Sequence, residues 1–341
     1  MLLYMNVEKK LKNYTLNINL DLKDEKAAFL GGSGSGKTMT LKLIAGIEKP
    51  DRGKIILNEK TIFDSEKNID VKTRNRKIGL LFQNYALFPN MTVKKNVLVA
   101  SKTPSPDEFF RKFRIDHILD KYPDKLSGGE KQRVALAGIF ASKPDILMLD
   151  EPFSALDTHL RFKLEDEIRK IINTFDKTVI IVTHDKDEAY RLSDKIAVFN
   201  NGIIDEFGDK DTIFTRPQKL STATLISKVN CCEIQTTDDN LIIAGKWNIK
   251  FKASKKAYGH SHMAIKYDDI KIGDGENSFW VNVTGRIDES LSTIISAKPE
   301  NCKDTIYIRL PKNELNSLNS RLLVNVPSEK IMLLNNTKEQ T

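Results

Sequence analysis

The chain contains 341 residues, of which 40% are hydrophobic, and its formal net charge is +8. This composition is typical of a folded globular protein and excludes a largely disordered chain, and the sequence has no apolar run long enough to cross a bilayer. The length predicts about two domains.

Charge and cysteine content say little about function. The lysine excess is spread over the chain, so the positive charge alone favours neither nucleic acid nor a membrane surface as a partner. The three cysteines are Cys231, Cys232 and Cys302. Their spacing fits neither a disulfide framework nor a zinc site, so we expect buried free thiols in a reducing compartment.

The first predicted element is a half-buried strand that runs from Tyr14 to Leu22, in which apolar and polar residues alternate. Tyr14 is the aromatic residue nearest upstream of the glycine-rich loop that follows. Its ring is expected either to stack on an adenine base or to pack in the sheet, and the sequence favours neither role.

A glycine-rich loop lies between the buried strand at residues 27–30 and an apolar-striped helix. Its spacing, Gly-x-x-x-x-Gly-Lys-Thr, is that of a P-loop, and a flexible linker has no reason to end in this way between a strand and a helix. Glycines let backbone N–H groups face a phosphate, and the helix N-terminus adds its positive dipole end. Lys37 is expected to reach the β- and γ-phosphates and Thr38 to bind Mg²⁺. The predicted ATP-binding residues are Gly31, Gly32, Ser33, Gly34, Ser35, Gly36, Lys37, Thr38 and, if its ring stacks, Tyr14.

A second buried strand is predicted over residues 78–82, after a basic run from Arg74 to Lys77 that we expect to be a solvated loop. The strand ends at Gln83, whose amide oxygen is able to hold Mg²⁺ or an attacking water. On position alone, an ordinary strand-end glutamine is the simpler interpretation.

Residues 126–130 predict the start of a helix. Ser127 and Glu130 stand three residues apart, as in a capping box. Gly128 and Gly129 fall in the first helical turn, where each weakens the helix by about 1 kcal/mol. Close approach of a phosphate to this backbone would account for both glycines.

Two acidic residues end the apolar strand predicted at residues 145–149. Asp150 is placed to hold Mg²⁺ through water, and Glu151 to accept a proton from an attacking water. A turn into the next helix follows, with the residues Ser154, Ala155, Leu156 and Asp157.

A third buried strand, at residues 178–183, ends at His184. A lone histidine is more often structural, but the C-terminal end of a parallel strand in a sheet that carries a P-loop favours ligand contact. His184 is therefore predicted to bond the γ-phosphate and to hold the water in line. A hairpin with Asn201 and Gly202 at its turn comes next.

The sequence changes in texture after Pro217. Short alternating segments between Leu241 and Val326 are separated by turn residues and predict a small β-barrel or sandwich. We therefore expect an α/β P-loop domain over residues 1–228, with a helical subdomain at about 84–140, followed by a small all-β, barrel-like domain over residues 229–341.

Together, the motifs between Gly31 and His184 resemble those of ABC-transporter ATP-binding subunits. The resemblance implies a RecA-like core with a helical subdomain and an N-terminal β subdomain, and it implies ATP and Mg²⁺ as ligands. The glycine loop is similar to Walker A, residues 146–151 to Walker B, residues 154–157 to the D-loop, Gln83 to the Q-loop and His184 to the H-loop. The residues similar to the ABC signature are Leu126, Ser127, Gly128, Gly129 and Glu130. The implied catalytic residues are Glu151, His184 and Gln83, and the implied magnesium ligands are Thr38, Gln83 and Asp150.

The resemblance also implies partners. Members of this family work as a head-to-tail pair, in which the signature of one subunit closes over ATP held by the P-loop of the other. We therefore expect a homodimer at the cytoplasmic face of the cell membrane, bound to permease subunits, with Gln83 coupling the nucleotide to this membrane partner. A separate extracytoplasmic solute-binding protein is expected to act indirectly, and no nucleic-acid partner is expected.

A narrower resemblance concerns the cargo. Residues 63–65, 87–89 and 223–231 look like those of molybdate- and sulfate-type import ATPases with a TOBE-like regulatory domain. Sugar, polyamine and ferric-iron importers share this layout, and a soluble ABC ATPase of translation or DNA repair is an alternative from another class. Two positions depart from the family pattern, because Gly32 stands where proline is common and Gly138 where arginine is usual.

Overall fold

The computed structural model describes residues 2–102, 106–154, 158–300, 302, 304–312 and 320–336. The chain divides into two compact units, residues 1–210 and residues 211–341. Within the described residues, no helix is both long enough and apolar enough to cross a membrane.

The division between the units precedes the domain boundary that we expected after residue 228. The intervening segment includes the helix Leu220–Ile226, whose buried Ala223 packs with Ala264 and Leu334 of the second unit. The Leu220 N–H also donates to the Asn335 carbonyl at 3.0 Å. These contacts group the helix with the second unit.

One mixed sheet contains eleven strands in the described part of the first unit. In chain order they are β1 (Leu2–Lys10), β2 (Thr15–Lys23), β3 (Lys26–Gly31), β4 (Arg52–Leu57), β5 (Lys60–Asp64), β6 (Ile69–Asp70), β7 (Ile78–Leu81), β8 (Ile146–Asp150), β9 (Val179–Thr183), β10 (Lys195–Asn200) and β11 (Ile203–Asp209). Their order across the sheet is β6-β5-β4-β1-β2-β11-β10-β3-β9-β8-β7. Sequence patterning missed β1, which pairs with β2 along its whole length.

Helices cover this sheet and connect its parallel strands. Those described in the first unit are α1 (Lys37–Ala45), α2 (Val93–Ala100), α3 (Asp107–Lys112), α4 (Gly128–Ala141), α5 (Thr158–Asn173) and α6 (Lys186–Leu192). Further along the chain follow α7 (Lys210–Thr215) and α8 (Leu220–Ile226). Helices α2, α3 and α4 lie in the stretch predicted to form the helical subdomain.

The parallel half of the sheet, β10-β3-β9-β8-β7, is buried on both faces. Successive strand residues point to opposite faces. In β8, Ile146 and Met148 therefore join the core cluster that contains α1, whereas Leu147 and Leu149 join the cluster that contains α4 and α5. Burial on both faces explains the uninterrupted apolar runs of these strands.

The second unit contains two five-stranded sheets among its described residues. The first, in the order β14-β13-β12-β15-β21, consists of β12 (Val229–Asp238), β13 (Leu241–Ala244), β14 (Ile249–Lys252), β15 (His262–Lys266) and β21 (Met332–Leu334). The second, in the order β16-β20-β17-β18-β19, consists of β16 (Lys271–Ile272), β17 (Phe279–Asp288), β18 (Ser292–Pro299), β19 (Ile306–Pro311) and β20 (Arg321–Asn325).

Both sheets of the second unit contribute to one apolar core, in which Phe251 of β14 and Ile295 of β18 are buried. This arrangement confirms the small β-rich, barrel-like domain predicted from the sequence. The three cysteines are free, and Cys232 is buried. The expectation of buried thiols was wrong for Cys231, which is exposed because the alternation of β12 turns its side chain outward.

The basic run after β6 is exposed, as we expected, except at Arg76, which is 3% exposed. Its guanidinium donates to the carbonyls of Leu43 and Ile44 at 2.9 and 2.8 Å, and to Asp70 Oδ1 at 3.0 Å. Arg76 thus donates to two carbonyls at the C-terminus of α1, of which the Leu43 carbonyl also accepts from the Gly46 N–H at 3.2 Å. Gly46, with φ of +74°, has no room for a Cβ, which would lie 2.5 Å from Arg76 Cζ.

Arg76→Ala is expected to lower the free energy of unfolding by about 3 kcal/mol, because it removes buried hydrogen bonds from the Leu43 and Ile44 carbonyls and the cation beside Asp70. Arg74→Ala is the matched control, since Arg74 is exposed two residues earlier, and it is expected to change stability by less than about 0.5 kcal/mol. Urea unfolding of both variants measures the difference. Equal stabilities for the two variants would contradict this role for Arg76.

Candidate functional site

The residues predicted to bind and hydrolyse nucleotide meet at one edge of the sheet. β3 leads into the glycine loop, β7 is followed by Gln83, β8 ends in Asp150 and Glu151, and β9 is followed by His184. These four strands are parallel, so their carboxyl ends lie side by side. Such an edge is the usual ligand site of an open α/β sheet.

Lys37 is held inside the glycine loop. Its Nζ donates to the carbonyls of Gly31 and Gly32 at 2.8 and 2.7 Å, and to Ser35 Oγ at 3.3 Å. Burial lowers the pKa of Lys37, while the carboxylates of Glu151 and Asp150 oppose that shift. The ammonium is therefore positioned at the loop, where a phosphate would be neutralised.

Thr38 and Asp150 offer a hard-oxygen site for Mg²⁺. Thr38 Oγ1 donates to Asp150 Oδ1 at 2.9 Å, and Asp150 is 7% exposed. Burial raises the pKa of Asp150, and the hydrogen bond from Thr38 opposes this. No group of three His, Cys, Asp or Glu suitable for a metal occurs in the described residues. The donors present fit Mg²⁺, which favours few carboxylates together with phosphate oxygens and water.

Glu151 has a backbone conformation that is rare outside glycine, with φ of +45°. The strain, of about 1–2 kcal/mol, is offset by contacts of the neighbouring backbone: the Glu151 N–H donates to the Val182 carbonyl at 3.0 Å, and Ser154 Oγ donates to the Glu151 carbonyl at 3.0 Å. Glu151 Oε1 lies 3.3 Å from His184 Nδ1. The turn thus places the Glu151 carboxylate beside His184, the predicted H-loop histidine.

Gln83 lies next to the start of the predicted D-loop. Its Nε2 donates to Ser154 Oγ at 3.2 Å. The other D-loop residues, Ala155, Leu156 and Asp157, fall outside the described residues. Tyr85 and Ala86 follow Gln83 with positive φ values of 61° and 47°.

Tyr14 lies against the glycine loop. Its hydroxyl donates to the Gly34 carbonyl at 2.7 Å, and partial burial raises its pKa. The ring also covers Gly202, where a Cβ would come within 2.6 Å of Tyr14 Cδ2. The side chain therefore has a packing role, and stacking on adenine stays a prediction.

The predicted capping box at the start of α4 is confirmed. Ser127 Oγ accepts from the Glu130 N–H at 3.3 Å, and the Ser127 N–H donates to Glu130 Oε2 at 2.8 Å. Gly129 also has an internal reason to lack a side chain, because a Cβ would lie 3.2 Å from Leu164 Cδ1. A side chain at Gly129 would need a small shift of Leu164, so the glycine does not by itself indicate an approaching phosphate.

A family comparison gives these residues their context. Residues 11–154 match the ABC transporter family model. The Fe(3+) ions import ATP-binding protein FbpC of Fusobacterium nucleatum subsp. nucleatum is 38% identical over 272 residues, which cover 76% of this chain and 72% of the relative. This chain belongs to the ABC transporter family.

Further matches show the breadth of relatives of this ABC protein. The sulfate/thiosulfate import ATP-binding protein CysA of Synechocystis sp. is 38% identical over 237 residues, which cover 66% of this chain and 65% of the relative. Relatives named for trehalose/maltose and for spermidine/putrescine import match as well. The predicted importer-type ATPase, which couples ATP hydrolysis to transport, is confirmed at this level.

A solved structure confirms the fold of this ABC ATPase. The dimeric, post-hydrolysis structure of the ATP-binding cassette MJ0796 bound to ADP and Pi matches with a TM-score of 0.52 and 27% identity. The match covers 62% of this chain and 99% of that chain.

Sequence reasoning missed several side chains that hold the ABC site together. Gln132 of α4 is fully buried and its Nε2 donates to the Pro152 carbonyl at 2.9 Å, directly after Glu151. Glu188 of α6 is 3% exposed and accepts a hydrogen bond from Thr183 Oγ1. Polar residues within helices gave no sequence signal, because burial of a polar residue depends on long-range packing.

Burial raises the pKa of Glu188 from 4.5 to about 7, although the Thr183 hydroxyl and the Arg161 cation oppose the shift. Between about pH 4.5 and 7, the Glu188 carboxyl therefore keeps its proton in the folded chain and loses it in the unfolded chain. This contribution to stability is fully present below pH 4.5 and is lost as the pH rises through about 7.

As the pH rises from 4.5 to 7.5, the free energy of unfolding of Glu188→Gln is expected to increase relative to that of the wild type by on the order of 3 kcal/mol. The reason is that the amide never ionises. Chemical unfolding of both proteins across this range measures the difference, with pH 4.5 as the internal reference. A difference in stability that does not change with pH would contradict the assignment.

Proposed function

We propose that this ABC ATPase is the motor subunit of an importer and that two copies sandwich ATP between them. The main support is that the signature residues 126–130 are separate from the sheet edge that holds the other site residues. Lys37, Thr38, Asp150, Glu151 and His184 meet at one edge of the sheet. In the part of the chain that the structure describes, no hydrogen bond or ion pair joins residues 126–130 to that edge. A second copy would supply the missing half, as the dimeric relative MJ0796 suggests.

The geometry supports hydrolysis by direct attack of water. Backbone N–H groups of residues 31–38 and the Lys37 ammonium would bind the phosphates, while Thr38, Asp150 and Gln83 would hold Mg²⁺, which neutralises developing charge. The water oxygen would bond to the γ-phosphorus while the bond from that phosphorus to the β–γ bridging oxygen breaks. Glu151 would accept the proton that the water loses. His184 would keep that water and the γ-phosphate aligned.

The surface beside Gln83 has the character of a permease contact. A cavity of about 540 Å³ lies between β7, α2 and α4, and is lined by residues including Phe88, Val99 and Gly138. The side chains of Phe88 and Val99 are 51% and 59% exposed. Solvent-exposed apolar side chains around a groove are typical of a protein interface. We propose that a permease segment binds here, at the cytoplasmic face of the membrane. Movement of this segment would shift Gln83 and so change its contact with the nucleotide site.

For cargo, we propose a sulfate-type oxyanion, with molybdate or tungstate in the same class. The sulfate/thiosulfate names of several relatives support this class. Ferric iron is the second candidate, because the iron-import relative aligns over 76% of this chain. We further propose that an extracytoplasmic solute-binding protein delivers the oxyanion to the permease.

Purification of the tagged chain with its permease from its own cells tests this function. The complex, reconstituted in proteoliposomes, is expected to hydrolyse ATP faster when sulfate and its binding protein are present, and not with maltose or spermidine. Stimulation by ferric iron alone would replace the oxyanion proposal.

Val99→Glu tests the permease contact in the same preparation. The variant is expected to co-purify with at least about tenfold less permease, since a carboxylate would be desolvated in an apolar contact. Tyr122→Glu is the matched control, because Tyr122 is another exposed apolar residue, at 49% exposure, and this variant is expected to keep the permease. Equal recovery of permease with both variants would move the contact elsewhere.

A further inference from the structure

The two residues that flank His184 are both tied to one side chain of α5. Arg161 Nη2 donates to Asp185 Oδ2 at 2.7 Å and to Glu188 Oε2 at 3.4 Å. Glu188 in turn accepts from Thr183 Oγ1, and the Asp185 N–H donates to the same hydroxyl oxygen at 3.0 Å. One hydrogen-bond network that includes Arg161 therefore fixes the backbone on both sides of His184.

We propose that Arg161 is a positioning residue that fixes His184 opposite Glu151 and links it to α5. The proposal rests on the role of His184 given above. Helix α5 begins at Thr158, directly after residues 154–157. Arg161 lies in the first turn of this helix.

Burial makes the network sensitive to loss of the cation. Glu188 is 3% exposed, its Oε1 has no hydrogen-bond partner in the described residues, and Asp185 lies three residues before it on the same helical turn. Without Arg161, the hydrogen bonds that tie Asp185 and Glu188 to one guanidinium are lost, and among the described contacts Glu188 Oε2 keeps only the Thr183 hydroxyl. Asp185 Oδ1 also accepts from the N–H groups of Asp187 and Glu188 at 2.9 and 3.1 Å, so its displacement would disturb the start of α6.

A second ion pair between the same helices provides a matched control. Arg191 Nη2 donates to Glu165 Oε2 at 2.9 Å, and Glu165 is 5% exposed. This pair joins α5 to α6 as Arg161 does, and its described hydrogen bonds reach neither Thr183 nor Asp185, although the Arg191 charge also attracts the Asp185 carboxylate. Arg191→Ala therefore loosens the helix pair without releasing the flanks of His184.

The test is a double-mutant cycle between Arg161→Ala and His184→Ala, with single-turnover hydrolysis at saturating Mg-ATP as the readout. Arg161→Ala is expected to lower the rate on the order of tenfold in the wild-type background, because the reacting geometry is disturbed. It is expected to change the rate little in the His184→Ala background, since the group on which it acts is gone. ATP affinity is expected to stay within about twofold, and Arg191→Ala to keep the wild-type rate.

Each other outcome has a definite meaning. An equal loss in both backgrounds, or a loss no larger than that of Arg191→Ala, overturns the positioning role and leaves the proposed function intact. A wild-type rate for His184→Ala itself overturns the proposed role of the histidine, and this inference with it. If Arg161→Ala does not fold, Arg161→Gln passes through the same cycle and is judged by the same criteria.

Discussion

Lys37→Ala is expected to lower both ATP affinity and hydrolysis by about 10³-fold. The ammonium is positioned by the Gly31 and Gly32 carbonyls at the place where phosphate charge would be neutralised. Lys37→Arg is expected to fail as well, because a planar guanidinium does not fit a loop that holds a point charge.

Equilibrium binding of a fluorescent ATP analogue and release of phosphate measure the two losses. Lys49→Ala is the matched control, since Lys49 follows the same helix and its side chain is 69% exposed. Unchanged binding by Lys37→Ala would mean that the glycine loop is not the phosphate site.

Glu151→Gln is expected to slow hydrolysis by about 10³-fold while ATP still binds, because the amide is unable to take a proton from water. The amide also keeps the shape of the side chain next to His184. ATP is then retained, and the proposed dimer should accumulate in Mg-ATP.

Size-exclusion chromatography with light scattering, together with phosphate release, checks this pair of effects. Glu59→Gln is a close control, because Glu59 is an exposed glutamate with a similarly positive φ of 63°. A monomeric Glu151→Gln protein in saturating Mg-ATP, or one that hydrolyses at the wild-type rate, would contradict the assigned role.

The catalytic edge was predictable because its signals are local in sequence. A buried apolar run, then a glycine loop or a polar pair, is enough to place Lys37, Asp150 and His184 at strand ends. The parallel order of β3, β9, β8 and β7 then brings them together without further information.

The supporting side chains were not predictable, because their roles depend on distant partners. Arg76 looked like part of a solvated basic run until the C-terminus of α1 was placed beside it. Arg161 and Glu188 lie on helices whose packing a single sequence does not specify. The left-handed backbone of Glu151 likewise gave no residue-type signal, since glycine is the usual occupant.

The shared ATP site is tested most directly by mixing two defective proteins, Lys37→Ala and Ser127→Arg, each also carrying Glu151→Gln. Alone, neither is expected to trap ATP, since every site lacks its P-loop lysine or its signature serine. When the two proteins are mixed, each mixed dimer is expected to trap one ATP. One of its two sites combines the intact P-loop of the Ser127→Arg protein with the intact signature of the Lys37→Ala protein. Absence of trapped ATP in the mixture, or normal trapping by the Ser127→Arg protein alone, would contradict a site built from two copies.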